Sequence, residues 1–186
     1  MASARLLFEV ASPDTIRDKL QSLGVSNSSH IVLYLGGDGP IPAVTRVAHV
    51  LNYVGLGDRT SILNGGIAAW TKAGYPLSTA ATAVRPGRLT VRVKESLFAD
   101  AELVKNARNS GFKLIDARAP ANYGGIELTF GKAGHIPGAV NIPFNDLNDD
   151  AQVFHKDRIA ARFQPAAIKS SDKVLVIATS GCRRPK

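Results

Sequence analysis

Hydrophobic and polar positions in the first half of the chain follow a helical period in some stretches and form short continuous runs in others. Ser12-Pro13-Asp14 is typical of a helix start, with a serine cap and proline at the first helical position. The apolar run at 30–34 has the character of a buried parallel strand. The pattern predicts helices over 13–23, 43–54 and 67–73, and strands over 30–34 and 60–63.

The second half repeats this alternation. Its pattern predicts helices over 99–110 and 157–163 and strands over 113–116 and 174–178. Helices that alternate with short apolar strands indicate an α/β fold with an open parallel sheet flanked by helices. Residues 78–88 are rich in Ala, Thr and Pro without apolar periodicity, which is typical of a linker. We therefore predict a first unit over 1–77, a linker over 78–88 and a second unit over 89–186.

Composition narrows the class of protein. A chain of 186 residues with 45% hydrophobic and 20% charged residues is globular in type. No apolar run approaches the roughly 18 residues of a membrane helix. The start of the chain lacks the pattern of a signal peptide. We expect a cytoplasmic protein without membrane contact, or a mitochondrial or periplasmic one if a targeting segment is missing.

Charge and cysteine content indicate the kinds of ligand. The net charge of +8 favours anionic partners, but the basic residues are scattered and match no nucleic-acid motif. We therefore expect small anions and not nucleic acid. The single cysteine, Cys182, excludes an internal disulfide and a cysteine-based zinc cluster. The four histidines lack metal-ligand spacing, so we predict neither a metal site nor a cofactor.

Three segments carry recognisable motifs. A strand at 113–115 runs into Asp116 and Arg118, and residues 134–139 read Gly-His-Ile-Pro-Gly-Ala. Residues 61–77 combine a strand, the pair Gly65-Gly66 and a helix bearing Trp70. The glycines permit a positive φ, and we expect Trp70 to pack its helix onto the sheet. The third segment is the buried strand that ends at 176–179.

In their order along the chain, 61–77, then 113–139, then 176–179, the three segments resemble the rhodanese family, the sulfurtransferases that carry sulfur as a persulfide on one cysteine. The resemblance is to the two-domain thiosulfate and 3-mercaptopyruvate sulfurtransferases. It implies two incomplete tandem units, the latter part of a non-catalytic first domain and the first part of a second, so the chain looks shortened at both ends. The implied donor is a small anion, thiosulfate or 3-mercaptopyruvate, and the implied acceptor is cyanide or a thiol.

The family's nucleophile is a cysteine at the start of the loop after a buried strand. Sulfur transfer needs a thiolate there, and a serine hydroxyl cannot form a persulfide. Aligning the strand puts Ser180 at that position, whereas aligning the loop glycine on Gly181 puts Ala178 there. Neither alignment places Cys182.

Cys182 remains the candidate catalytic residue, since Arg183 and Arg184 would favour its thiolate and attract an anionic donor. The alternatives are a terminal cysteine without a role and a nonspecifically reactive thiol. The function has alternatives as well: a non-catalytic rhodanese-like module that binds a protein or an anion, or an incomplete gene product.

The resemblance also assigns roles around the first motif. Arg118 is a candidate substrate-binding residue, or a structural partner of Asp116 or of loop carbonyls. The position of Asn122 often carries a second substrate-binding arginine in the family, and that cation is absent here. We predict structural roles for Asp116, His135 and Gly181. Asp116 would orient the loop through backbone N–H groups, and His135 would stabilise it, with general-base chemistry as the alternative.

Overall fold

The computed structural model describes residues 10–37, 39–129 and 131–178. The chain forms two compact units that divide in the sequence between Phe98 and Ala99. The predicted second unit begins earlier, near Leu89. In the structure Leu89 is 5% exposed and packs in the core of the first unit. The division therefore does not coincide with the predicted boundary.

In its described residues, the first unit contains three α-helices and two strands. They are helices α1 (Pro13–Ser22), α2 (Ile41–Tyr53) and α3 (Gly66–Lys72), and strands β1 (Ile31–Leu33) and β2 (Thr60–Ile62). Helix α1 begins as predicted, because the Ser12 hydroxyl accepts from the Thr15 N–H. Strands β1 and β2 pair in parallel. The buried core of the unit consists of Val10, Leu51, Tyr53, Val54, Leu56 and Leu89.

The turn before α3 uses its two glycines as the sequence predicts. Gly65 and Gly66 have φ of 78° and 58°. A Cβ on Gly66 would lie 2.6 Å from the Leu35 carbonyl oxygen, so the backbone approach excludes a side chain. The expectation for Trp70 needs correction. Trp70 is 38% exposed, its ring lies against Tyr75, and its indole N–H donates to the backbone carbonyl of Pro76.

Gly55 gives a test of the packing of residues 88–98 on the first unit. It has φ +86°, and a Cβ there would lie 2.6 Å from the carbonyl oxygen of Arg92. Gly74 has a similar φ of +78°, but a Cβ there would meet nothing within 4 Å. We expect Gly74→Ala to cost about 1–2 kcal/mol from backbone strain alone, and Gly55→Ala to cost more. Urea unfolding followed by Trp70 fluorescence measures both; equal losses would contradict the close contact.

The second unit is a small parallel α/β sheet. It contains helices α4 (Ala101–Lys105), α5 (Pro120–Tyr123) and α6 (Lys156–Phe163), and strands β3 (Phe112–Asp116), β4 (Ala139–Asn141) and β5 (Lys173–Ile177). The strand order is β4-β3-β5, with β3 parallel to both neighbours. Leu114 lies in the core of this unit, together with Ala107 and Ala139. The predicted α/β class with parallel strands and flanking helices is confirmed.

Helix α4 is shorter than predicted. The pattern predicts a helix over 99–110, and the structure has Ala101–Lys105. Asp100 caps it through the Leu103 N–H at 2.8 Å. Beyond it the sequence Asn-Ala-Arg-Asn-Ser-Gly is rich in turn-forming residues, and Gly111 adopts φ 74°. In the described part of the chain, none of the helices is both long and apolar enough to cross a membrane.

Candidate active site

The carboxyl ends of β3 and β5 define the edge at which we expect a ligand. The chain leaves β3 to form β4 on one side and returns to form β5 on the other. In open α/β sheets, ligands bind at the carboxyl ends of strands where the order reverses in this way. The Ala117 N–H donates to the Ile177 carbonyl at 2.8 Å, which joins the two strand ends. We call the carboxyl ends of β3 and β5 the carboxyl edge. The chain leaves β5 at this edge.

Asp116 and Arg118 form a buried ion pair at the carboxyl edge. Their side chains are 0% and 8% exposed. The Asp116 carboxylate accepts from Arg118 Nε at 2.9 and 3.1 Å and from Nη2 at 2.5 Å. It also accepts from the Arg118 backbone N–H at 3.0 Å. Because both groups are desolvated, each depends on the other for its charge partner.

The ion pair shifts the pKa of each group so that both groups stay charged. Burial alone would raise the pKa of Asp116, but hydrogen bonds from the Arg118 side chain and backbone, with the guanidinium charge, offset burial and hold that pKa below its usual value. The hydrogen bond from Arg118 to Asp116 raises the pKa of the guanidinium in turn. The lowered pKa favours an ionised Asp116, which agrees with the structural role predicted for it.

Arg118 also anchors the loop that follows α5. Its Nη1 donates to the Thr129 hydroxyl at 3.0 Å, and Nη2 donates to the Gly134 carbonyl at 2.9 Å. Asn141 supports the same turn from β4, because its amide donates to the carbonyls of Asp116 and Arg118, both at 2.9 Å. Every guanidinium nitrogen of Arg118 thus has a protein partner. This geometry favours the structural interpretation of Arg118.

His135 packs on the same loop. Its ring stacks on Tyr123, with centroids 3.7 Å apart and planes 12° from parallel. Its Nδ1 lies 2.9 Å from the Tyr123 carbonyl oxygen, which can only accept, so Nδ1 carries a hydrogen. The Tyr123 hydroxyl donates to the Ala139 carbonyl at 2.8 Å. These contacts support the loop-stabilising role predicted for His135.

The structure brings together three of the residues singled out in the sequence: Asp116, Arg118 and His135. The other candidates lie outside the described residues, so their roles stay predictions: Ser180, Gly181, Cys182, Arg183 and Arg184. Sequence reasoning missed Asn141 and Thr129. Asn141 was detectable in principle, as a polar residue closing an apolar pair after the Gly-Ala turn. Over the described ranges, no group of three or more His, Cys, Asp or Glu side chains could hold a metal ion.

Comparisons with known proteins identify the family that the chain resembles. Residues 100–185 match the family described as rhodanese-like domain. The probable 3-mercaptopyruvate sulfurtransferase of Pseudomonas aeruginosa is 34% identical over 154 residues, covering 81% of this chain and 54% of that protein. The thiosulfate sulfurtransferase of Rattus norvegicus is 31% identical over 171 residues, covering 88% of this chain and 57% of that protein. The chain therefore spans little more than half the length of these relatives.

A solved structure shows the same fold. SseA from Escherichia coli, described as having the rhodanese fold of 3-mercaptopyruvate sulfotransferases, superposes with a TM-score of 0.76 at 23% identity. The match covers 95% of this chain and 66% of that one. The protein is thus an α/β protein with a rhodanese-type sheet and a buried Asp–Arg pair at its carboxyl edge. It belongs to the rhodanese-like family, whose relatives here are sulfurtransferases, and the resemblance seen in the sequence is confirmed.

Proposed function

We propose that this protein is a sulfurtransferase that carries sulfane sulfur as a persulfide on Cys182. The observation that supports it most directly is the buried Asp116–Arg118 pair at the carboxyl edge, beside the end of β5. The chain continues from this edge, and Cys182 follows Ala178 by four residues in the sequence. The family match extends through this segment.

The reaction follows from the chemistry of a thiolate. The Cys182 thiolate attacks the outer sulfur of thiosulfate, the sulfur–sulfur bond of the donor breaks, and sulfite leaves with the electron pair. With 3-mercaptopyruvate as donor, the thiolate attacks the donor sulfur, the carbon–sulfur bond breaks, and pyruvate leaves as its enolate, which takes up the proton of the donor thiol. Cyanide or an acceptor thiolate then attacks the outer sulfur of the persulfide and regenerates the Cys182 thiolate. The net charge of +8 favours the approach of either anionic donor.

In this mechanism the described residues hold the turn at the carboxyl edge in place and do not react. The Asp116–Arg118 pair fixes the turn after β3, and Asn141 holds the carbonyls of that turn from β4. Because the Arg118 side chain is engaged inside the protein, we propose that the cation that meets the donor comes from elsewhere. Arg183 and Arg184, next to Cys182 in the sequence, are the residues we propose for that contact.

A second candidate function is a non-catalytic rhodanese-like module that binds a protein or an anion. Two observations favour it: aligning the family motif puts Ser180 or Ala178, not a cysteine, at the nucleophile position, and each guanidinium nitrogen of Arg118 already donates to a described residue. The two functions differ in whether sulfur becomes covalently attached to the chain.

Intact-mass spectrometry distinguishes them. After incubation with thiosulfate or 3-mercaptopyruvate, we expect the chain to gain about 32 Da, reversed by cyanide. Cys182 is the single cysteine, so Cys182→Ser is expected to show no gain. In the Cys182→Ser background we also expect Ser180→Cys to gain sulfur, with Ser180→Ala in the same background as its matched control that shows no gain.

Each outcome has one meaning. No gain in the unaltered chain, with a gain in Ser180→Cys, would indicate a competent scaffold without a working nucleophile and would favour the binding module. An equal gain in the unaltered chain and in Cys182→Ser would mean that sulfur is attached nonspecifically, which contradicts the proposal.

A further inference from the structure

A second concave site lies at the opposite end of the sheet in the second unit. A cleft of about 250 Å³ is lined by residues of β3, of the turn before it and of the loop after α6, and we call it the amino-end cleft. Strand β4 pairs with β3 only from Leu114 onward. Phe112 and Lys113 therefore have β5 on one side and the cleft on the other. At about 3.3 Å per residue, Phe112 at the start of β3 lies roughly 13 Å from Asp116 at its end.

The cleft contains a cation that the described residues leave uncompensated. The Arg108 side chain lies along Gly138, and a Cβ built on Gly138 would be 3.1 Å from the Arg108 Cδ and Nε and 3.2 Å from its Cζ. Within the described ranges, Arg108 makes no hydrogen bond or ion pair. The absence of a side chain at Gly138 thus permits a guanidinium to lie at the cleft wall with its donors unoccupied.

Lys113, which also lines the cleft, differs from Arg108 because its charge is paired within the protein. The Lys113 ammonium pairs with Asp172 at 2.9 Å and donates to the Ala167 carbonyl oxygen. Ala167 has φ +51°, which is unusual for a residue other than glycine. Lys113 therefore fixes the loop after α6, which supplies Ala166 and Ile168 to the cleft, in an otherwise unfavourable conformation.

The remaining walls are apolar. Phe112, Leu114, Val140 and Ile168 surround the cleft with hydrocarbon surface. The Lys173 ammonium lies 5.7 Å from the centroid of the Phe112 ring, which adds positive charge at this end of the sheet. A cleft that combines hydrocarbon walls with one guanidinium that no described residue pairs matches a ligand with a compact apolar body and one carboxylate.

We propose that the amino-end cleft binds a small organic carboxylate, with its carboxylate on Arg108 and its apolar body against Phe112, Val140 and Ile168. The site is separate from the carboxyl edge and does not depend on Cys182. Its carboxylate ligand is defined by the guanidinium, and its size is limited by the cleft volume of about 250 Å³.

Phenylacetate is a suitable probe, and phenylacetamide is its neutral counterpart of nearly the same shape. We expect phenylacetate titrated into ¹⁵N-labelled full-length chain to shift the amide resonances of Lys113, Leu114, Val140 and Ile168 saturably. Phenylacetamide is expected to bind at least about fivefold more weakly, because the guanidinium then lacks its charged partner.

Three variants separate charge from shape. Arg108→Gln removes the cation and Ala166→Leu fills the cleft, and each is expected to weaken phenylacetate at least about fivefold. Arg85→Gln makes the same charge change in the first unit, away from the cleft lining, and is expected to leave binding unchanged. The spectrum of each variant shows whether it is folded.

Equal affinity for the acid and the amide, or an equal loss in Arg108→Gln and Arg85→Gln, would overturn the proposal. Shifts confined to residues at the carboxyl edge would overturn it as well, since they would place the carboxylate at the other end of β3. None of these outcomes depends on persulfide formation at Cys182, so the proposed sulfur transfer and this site fail independently.

Discussion

Replacing Arg118 by alanine is expected to destabilise the second unit by about 3–5 kcal/mol, because it leaves the Asp116 carboxylate buried without a charge partner. Asp116 is fully buried, and its remaining described hydrogen bond is the one from the backbone N–H of residue 118. The variant also loses the donors that anchor the Thr129 hydroxyl and the Gly134 carbonyl. We therefore expect a loosened loop in addition to a weaker sheet.

The measurement has to report on the second unit alone. The single tryptophan, Trp70, lies in the first unit, so its fluorescence follows that unit. Urea unfolding followed by the amide resonances of β3 follows the second. Arg118→Lys is expected to recover only part of the loss, since an ammonium cannot reproduce the two-pronged contact with the carboxylate.

Arg162→Ala is the matched control. Arg162 pairs with Asp146 at 3.2 Å in the same unit, but its side chain is 54% exposed. Exposed ion pairs contribute little, so we expect a small change. A loss in Arg118→Ala no larger than that in Arg162→Ala would mean that the buried pair does not hold the carboxyl edge together.

Local sequence signals account for much of the fold. Ser12 and Pro13 set the start of α1, and the continuous apolar runs correspond to β1, β3 and β5. These elements are determined by residues close together in the chain, namely caps, turn glycines and the period of apolar side chains. For the site, the sequence left Arg118 either as a substrate-binding residue or as a structural partner of Asp116 or of loop carbonyls, and the structure contains both structural contacts.

The features that sequence did not reveal depend on distant partners. Strand β4 is three residues long and pairs with β3. Three residues are too few to show a periodicity of apolar positions, so the sequence could not indicate this strand. Asn141 reaches carbonyls at positions 116 and 118, and Leu89 packs in one core with Leu51 of helix α2. Such contacts require the tertiary arrangement to be known before the partner can be named, since many polar or apolar residues fit each local pattern equally well.

Protonation of Asp116 at low pH is expected to destabilise the native chain and to stabilise the Arg118→Ala variant. In the native protein the pKa of Asp116 lies below its usual value, after burial is offset by the Arg118 hydrogen bonds and charge. A depressed folded-state pKa gives stability that is present above the unfolded pKa of about 3.9 and is lost as pH falls below it. Without Arg118, burial dominates and raises the pKa, so protonation at lower pH relieves the buried charge.

The difference in unfolding free energy between the two proteins isolates this effect. Asp149 and Asp172 also have lowered pKa values, from hydrogen bonds with His155 and with the Lys169 backbone respectively, but both proteins share them. We expect the difference, measured by urea unfolding of β3 at a series of pH values, to be largest near neutral pH and to shrink toward pH about 3.

In an Asp116→Asn background the same Arg118→Ala difference should not vary with pH in this range, because the titrating group is gone. A difference that stays constant with pH when Asp116 is present would mean that its charge is not what Arg118 stabilises, and the loop contacts to Thr129 and Gly134 would then account for the role of this arginine.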